Sequence, residues 1–325
     1  MNYQGLVRLT IVFALCVIVL GAYTRLADAG LGCPDWPGCY GQLLVPGSAE
    51  EVEEKHYLEE RPLEPEKGWA EMVHRYFAGT LGLLILAITI IAWKRRRNDP
   101  LQSVWMPTLL LGVVIFQALL GMWTVTLLLK PVVVMGHLLG GFATLTLLLL
   151  LALNDRRPAT WVPQGLRGWA ALGLLILVMQ IALGGWTSTN YAALSCPDFP
   201  TCQGVWVPET DFSEAFVMWR GLGVNYEFGV LEHPARVAIH LTHRIGAVIT
   251  LLYLAGLVLA LRGKGGVLAQ AANAAGLLLL LQVALGISNV VMHLPLAVAV
   301  AHNAVAALLL LSIVYVNFLL WQRQV

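Results

Sequence analysis

Eight apolar runs, each long enough to cross about 30 Å of hydrocarbon as a helix, limit what this chain can fold into. They are Leu6 to Tyr23, Val73 to Trp93, Val104 to Leu129, Val132 to Leu153, Trp169 to Trp186, Ala238 to Leu261, Val267 to Val291 and Leu296 to Trp321. Inside hydrocarbon every backbone N–H and C=O needs an internal partner, so only helices and closed barrels can span. The runs are continuously apolar rather than alternating, which selects helices over barrel strands. Composition agrees, because only 12% of the residues are charged, against roughly 25% in a soluble domain, and a water-soluble fold is excluded. The formal net charge of +1 hides an uneven layout, and no basic patch of the kind that binds nucleic acid emerges.

Short loops rich in lysine and arginine mark the cytoplasmic side. Lys94, Arg95, Arg96 and Arg97 follow the second run, Arg156, Arg157 and Arg167 the fourth, and Arg262 and Lys264 the sixth, while Arg323 closes the chain. Their alternation predicts a multi-pass protein of the cell's inner, cytoplasmic membrane with both termini cytoplasmic. The opposite side carries the acidic residues Glu50, Glu51, Glu53, Glu54, Glu59, Glu60, Glu64 and Glu66, and a second long loop from Ser188 to Arg236. A cleavable signal peptide competes for residues 1 to 29, where an apolar stretch ends in Ala27-Asp28-Ala29. An internal counterpart of the first run favours its retention.

That counterpart is part of a repeat. The segment Leu20 to Gly41, LGAYTRLADAGLGCPDWPGCYG, lies without a gap over Leu183 to Gly204, LGGWTSTNYAALSCPDFPTCQG. Downstream, His74-Arg75 meets His243-Arg244, Gln117 to Gly121 meets Gln282 to Gly286, and His137 meets His302. Each half holds four runs, an even number, so the halves share one orientation in the membrane. The expected fold is an all-α membrane protein of eight transmembrane helices, arranged as two pseudo-symmetric four-helix bundles in parallel tandem repeat. Residues 1–154 form the first half, 155–168 a cytoplasmic linker and 169–325 the second half.

An ionisable residue inside a membrane helix is costly and points to function. A lone histidine there is as well explained by packing, but His74 and His137 are matched in the other half by His243 and His302. Two imidazoles from facing helices can fill the axial positions of a heme iron and leave the macrocycle in the apolar gap between them. His137 lies six residues after Pro131 and His302 seven after Pro295, which places both about 10 Å into their helices. No cluster offers a closed four-ligand zinc set at the usual spacing.

Arg75 and Arg244 each follow one of these histidines, suited either to a heme propionate or to snorkelling at the membrane surface. The halves differ where Glu71 stands three residues before His74, while His240 stands three before His243. That spacing shares a helix face. A carboxylate beside a bound porphyrin can move a proton or stabilise positive charge on a reacting carbon. The alternative is a glutamate placed by the helix dipole near an N-terminus.

The pairs Cys33 with Cys39 and Cys196 with Cys202 sit in non-cytoplasmic loops, where disulfides persist. A structural clip over each helix mouth is the leading reading, and a thiol pair that passes electrons is the other. Cys16 has no partner and is expected to be a packing residue. The stretch Gly47 to Gly68 covers the substrate mouth, docks a partner or, as favoured here, is a solvated excursion.

These features together resemble the heme A synthase family. The resemblance rests on the repeated Cys-Pro-Asp-aromatic-Pro-x-Cys loop, on Glu71-Met72-Val73-His74-Arg75, on His240-Leu241-Thr242-His243-Arg244, and on His137 and His302. It covers nearly the whole chain. It implies a membrane oxidoreductase that converts the C8 methyl group of heme O to a formyl group by successive hydroxylation, giving heme A for terminal oxidases. By position, His243 and His302, with Arg244, hold a heme b cofactor, while His74 and His137, with Arg75, bracket the substrate heme O and Glu71 assists. Its implied partners are membrane lipid, a heme O synthase as supplier and an unidentified electron donor. Gly136, Gly140 and Gly141 allow close helix approach within one chain or in a homo-oligomer. The competing functions are a di-heme electron-transfer cytochrome b, which needs no reactive carboxylate, and a transporter with parallel repeats, which needs polar groups near the midplane.

Overall fold

The computed structural model describes residues 2–153 and 164–321. Among them are eight long helices, each apolar enough to span a membrane: α1 (Tyr3–Leu26), α2 (Pro65–Arg96), α3 (Trp105–Thr126), α4 (Pro131–Leu153), α5 (Arg167–Thr189), α6 (His233–Arg262), α7 (Gly266–Val291) and α8 (Leu296–Trp321). The described residues form no strands, only isolated bridges. The all-helical, eight-span reading therefore stands. Arg156, Arg157, Arg323 and most of the 155–168 connection lie outside the described residues.

Local chemistry sets the helix ends. The Asn2 side chain accepts a hydrogen bond from Gly5 N–H at 2.7 Å and caps α1. A proline in the first turn opens both α2 and α6. Lys94, Arg95 and Arg96 close α2 and Arg262 closes α6, where cations offset the exposed carbonyl end. Large aliphatic side chains such as Leu83, Leu252, Leu277 and Leu280 point outward and remain exposed, as lipid-facing positions do. Cys16 belongs to this outer set; it is exposed on α1, which corrects the expectation of a packing residue.

The chain divides into two compact units, Met1–Ala152 with Met218–Val230, and Leu153–Val217 with Leu231–Val325. In the first, α2 packs on α1 and α3, Gly140 of α4 faces Gln117 of α3, and Gly141 faces Ile18 of α1. In the second, α5 packs on α6, α6 on α7, α7 on α8 and α8 back on α5, closing a ring.

The acidic stretch is not a solvated excursion. It folds back over the Cys33–Cys39 loop, where Val52 is fully buried against Cys33, Cys39, Tyr40, Val45 and Met72. The Tyr40 hydroxyl donates to the Pro62 carbonyl at 3.1 Å. Burial raises the Tyr40 pKa, with Arg61 pulling the other way, so the phenol stays a donor at neutral pH. The signal missed in the sequence is the spacing of apolar Val52, Tyr57, Leu58 and Leu63 among the glutamates.

Met218–Val230 is the other surprise, since it belongs to the first unit. Tyr226 N–H donates to Leu128 O at 3.0 Å, and its ring packs with Leu31, Val125 and Leu129. Lys130, buried just before α4, donates to the Gly221 carbonyl, and its ammonium lies 3.1 Å from the centre of the Trp219 ring. Arg61 makes two hydrogen bonds to Glu227, at 2.9 and 2.8 Å, with side chains 16% and 9% exposed. Glu227 is the first cause holding the Arg61 pKa above its usual value.

Breaking a largely buried pair strands one charge and costs about 3 kcal/mol. Glu227→Ala should therefore lower the Tm of the purified protein, and adding Arg61→Ala should cost little more. Additive losses in that double-mutant cycle would show that the two side chains are uncoupled.

Candidate functional site

In the first unit His74 on α2 and His137 on α4 face each other, with ring centroids 6.4 Å apart and planes at 90°. In the second, His243 on α6 lies within electrostatic reach of His302 on α8. Each ring rests against a glycine of a neighbouring helix. A Cβ on Gly21 would meet His74 at 2.8 Å, on Gly121 His137 at 3.4 Å, on Gly184 His243 at 3.2 Å and on Gly286 His302 at 3.2 Å. An added methyl would collide with the imidazole at Gly21 and crowd it at Gly184 and Gly286.

Each of the rings of His74, His137 and His302 lies against a main-chain carbonyl of the neighbouring helix, that of Val17, Gln117 and Gln282. A metal–nitrogen bond of about 2 Å on each side lets a single ion sit between rings spaced like His74 and His137. Among the described residues no group of three or more His, Cys, Asp or Glu could hold a metal ion. An ion bound by two imidazoles must bring its other ligands with it, as iron in a porphyrin does, and the residues present fit that group.

Beside each pair, a side chain and an arginine clasp a cysteine loop. Glu71, buried, accepts from Cys33 N–H at 2.9 Å through Oε2 and from Arg75 at 2.5 Å through Oε1. Arg75 also donates to the carbonyls of Asp35, Pro37 and Gly38. In the second unit Cys196 N–H lies 3.3 Å from His240 Nδ1, and Arg244 Nε lies 3.2 Å from His240 Nε2. Arg244 donates to Thr201, Cys196 and Asp198 carbonyls, each at 2.8 Å. A carboxylate accepts from both of its donors at once, whereas a neutral imidazole has a single acceptor nitrogen. The loops themselves are closed by disulfides Cys33–Cys39 and Cys196–Cys202.

Residues 4–314 match COX15-CtaA, a family described as cytochrome oxidase assembly protein. The chain belongs to this family. Its relatives include the heme A synthase of Shewanella oneidensis, 49% identical over 99% of this chain and 98% of the relative. The heme A synthase of Caulobacter vibrioides is 30% identical over 92% of this chain and 90% of its own length. That of Halalkalibacterium halodurans is 26% identical, with coverage of 96% and 95%.

In this member of the COX15-CtaA family the structure brings Glu71, Arg75 and His74 onto one end of α2, and His240, Arg244 and His243 onto the matching end of α6. The arginines, read from sequence as propionate or interface residues, spend their donors on loop carbonyls. Sequence reasoning missed the four glycines beneath the imidazoles. Their signal lay inside the repeated segments, where Gly21 aligns with Gly184 and Gly121 with Gly286.

Asp198 organises the second loop and gives it a pH dependence. Its pKa is held at about 2, first by the Thr201 hydroxyl and then by the N–H groups of Gly204 and Gln203, against an ordinary 3.8. A depressed carboxyl pKa stabilises the fold fully above the unfolded value and loses that contribution as pH falls through the folded one. The Cys196–Cys202 bond should therefore resist a phosphine reductant equally from about pH 7 to about pH 4 and yield faster below that. Asp198→Asn should yield faster wherever Asp198 is ionised, and the two proteins should converge as the carboxyl protonates. Identical profiles for the two proteins would contradict this role.

Proposed function

We propose that this chain is a membrane oxidoreductase that converts heme O to heme A by oxidising the C8 methyl group to a formyl group. The observation that carries the reading is the His74–His137 pair, two facing imidazoles set over glycines, one helical turn from the Glu71 carboxylate. The heme A synthase relatives that span nearly the whole chain support it.

On this reading His74 and His137 bracket the substrate heme O and fix the height at which the macrocycle sits. Gly21 and Gly121 let their helices approach closely enough for both rings to reach it. Glu71 is held by Arg75 and by Cys33 N–H, so its carboxylate keeps one position, a helical turn from His74. From there it stabilises positive charge developing on the oxidised carbon or carries a proton from it. His243 and His302 hold a heme b, which supplies one-electron transfer when bound. The second unit has His240 where the first has Glu71, consistent with a reacting site and a serving one.

The half 1–154, with Met218–Val230 packed on it, serves the first role and the rest of 169–325 the second. Basic short loops put both termini on the cytoplasmic side of the inner membrane and the cysteine loops on the opposite, oxidising side, where they act as structural clips. A heme O synthase supplies the substrate through the lipid phase, and a separate donor supplies electrons.

Expression in cells that make heme O, followed by pyridine-hemochrome analysis and pigment extraction, tests the division of labour. Glu71→Ala should keep its full heme b content and lose heme A production by about 10²-fold or more. His243→Ala should lose heme b. Unimpaired heme A formation by Glu71→Ala would remove the carboxylate from the mechanism.

A further inference from the structure

Four successive cations, Lys94 to Arg97, end α2, and the fold uses only two of them. The Arg95 guanidinium stands 5.1 Å from the centre of the Tyr3 ring. Arg96 donates to the carbonyls of Pro100 and Gln102, the latter at 3.1 Å. Among the described residues neither Lys94 nor Arg97 makes a side-chain hydrogen bond or an ion pair. Asp99, the acidic residue of this connection, accepts instead from Leu101 N–H at 3.0 Å.

Lys94 and Arg97 line one end of an open groove of about 330 Å³ whose walls are Leu86, Ile90 and Trp93 of α2 and Leu111 of α3. Leu86, Ile90, Trp93 and Arg97 follow one another at intervals of four, three and four residues, a single stripe along the helix. The stripe is about 16 Å long, since each residue advances about 1.5 Å. That is about half of a 30 Å hydrocarbon core, the depth of one leaflet. The wall's own polar groups are satisfied: the Thr89 hydroxyl donates to the Pro107 carbonyl at 3.0 Å and the Trp93 indole N–H to the Thr108 hydroxyl at 3.1 Å.

The second unit does not repeat this arrangement. Carried without a gap from the paired histidines and glutamines, the repeat puts Val258 of α6 at the place of Thr89 and Gly276 of α7 at the place of Leu111. Val258 packs so near Gly276 that a Cβ on the glycine would stand 3.1 Å from it. Gly263 and Gly266 take the places of Lys94 and Arg97.

Offsetting the carbonyl end of a helix needs cations but no groove. An apolar channel one leaflet deep, with two uncommitted cations at its end, matches a lipid whose head carries negative charge. We infer that the groove between α2 and α3 is a binding site for an anionic phospholipid, its phosphate held by Lys94 and Arg97 and one acyl chain laid along Leu86, Ile90 and Leu111. The site lies at the end of α2 remote from His74 and does not depend on what the histidines hold.

The test uses the full-length protein, stripped of lipid in detergent and given dioleoyl phosphatidylglycerol, dioleoyl phosphatidylethanolamine or inorganic phosphate. Native mass spectrometry counts the retained lipid, and the Tm reports its effect. Wild type should retain phosphatidylglycerol and gain Tm from it, and should do neither with phosphatidylethanolamine or phosphate at the same concentration. Lys94→Gln with Arg97→Gln should weaken phosphatidylglycerol binding about 30-fold, the loss expected for two cations near a membrane surface. Arg262→Gln with Lys264→Gln removes the same charge from the second unit and should bind as wild type does. Leu111→Trp keeps both cations, fills the groove and should also weaken binding; if it does not fold, the two charge variants decide. Equal retention of the two lipids, equal losses in the two charge variants, a phosphate effect as large as the lipid's, or wild-type binding by a folded Leu111→Trp would overturn the inference.

Discussion

Putting an imidazole between two membrane helices requires the helices to come close and still leave room for a ring. Both demands are met here by setting each histidine over a glycine: His74 over Gly21, His137 over Gly121, His243 over Gly184 and His302 over Gly286. The helices are otherwise packed through ordinary apolar side chains and face lipid with the rest. Because the ring takes the volume that a side chain would have filled, helix approach and histidine placement are one constraint. The clasped cysteine loops lie just beyond it, on the same helix ends. Glu71 and His240 are each one turn from a ring and in contact with a loop amide, so loop, arginine and imidazole are held as a unit.

Three of the positions at which the two repeated segments differ lie beside the first histidine of each pair. Glu71 stands for His240, Val17 for Gln180 and Phe77 for Gly246. The first places a carboxylate where the second half has an imidazole. The other two put apolar side chains where the second half has the Gln180 amide beside His243 and the glycine that makes room for it. On the proposed reading the first of these changes marks the site that reacts. In the first unit the acidic stretch and Met218–Val230 add chain to the four helices, tied down by Arg61 with Glu227 and by Lys130 with Trp219.

Much of this was legible in the sequence because the bilayer simplifies the problem. Apolar length gave all eight helices to within a few residues, except α2, which begins at Pro65 rather than Val73 because a proline start lets it rise above the apolar run. Self-similarity paired the histidines before any geometry was available. What escaped depends on contacts between distant residues. The fold of the Gly47–Gly68 stretch turns on Val52 and Tyr40 meeting the disulfide, and glutamates dominate its composition. The arginine targets are backbone carbonyls, which leave no trace in side-chain identity. Gln180 was invisible because a glutamine in an apolar run acquires meaning only when Gly246 is seen beneath it.

The account rests on iron lying between paired imidazoles in each unit, and anomalous X-ray scattering locates iron without assumptions about pigment. Crystals of the protein purified from cells that make heme O, measured at the iron absorption edge, should show two difference peaks per chain. One should lie between the rings of His74 and His137 and the other between those of His243 and His302. Iron at any other position, or pigmented protein with no peak at either pair, would contradict it.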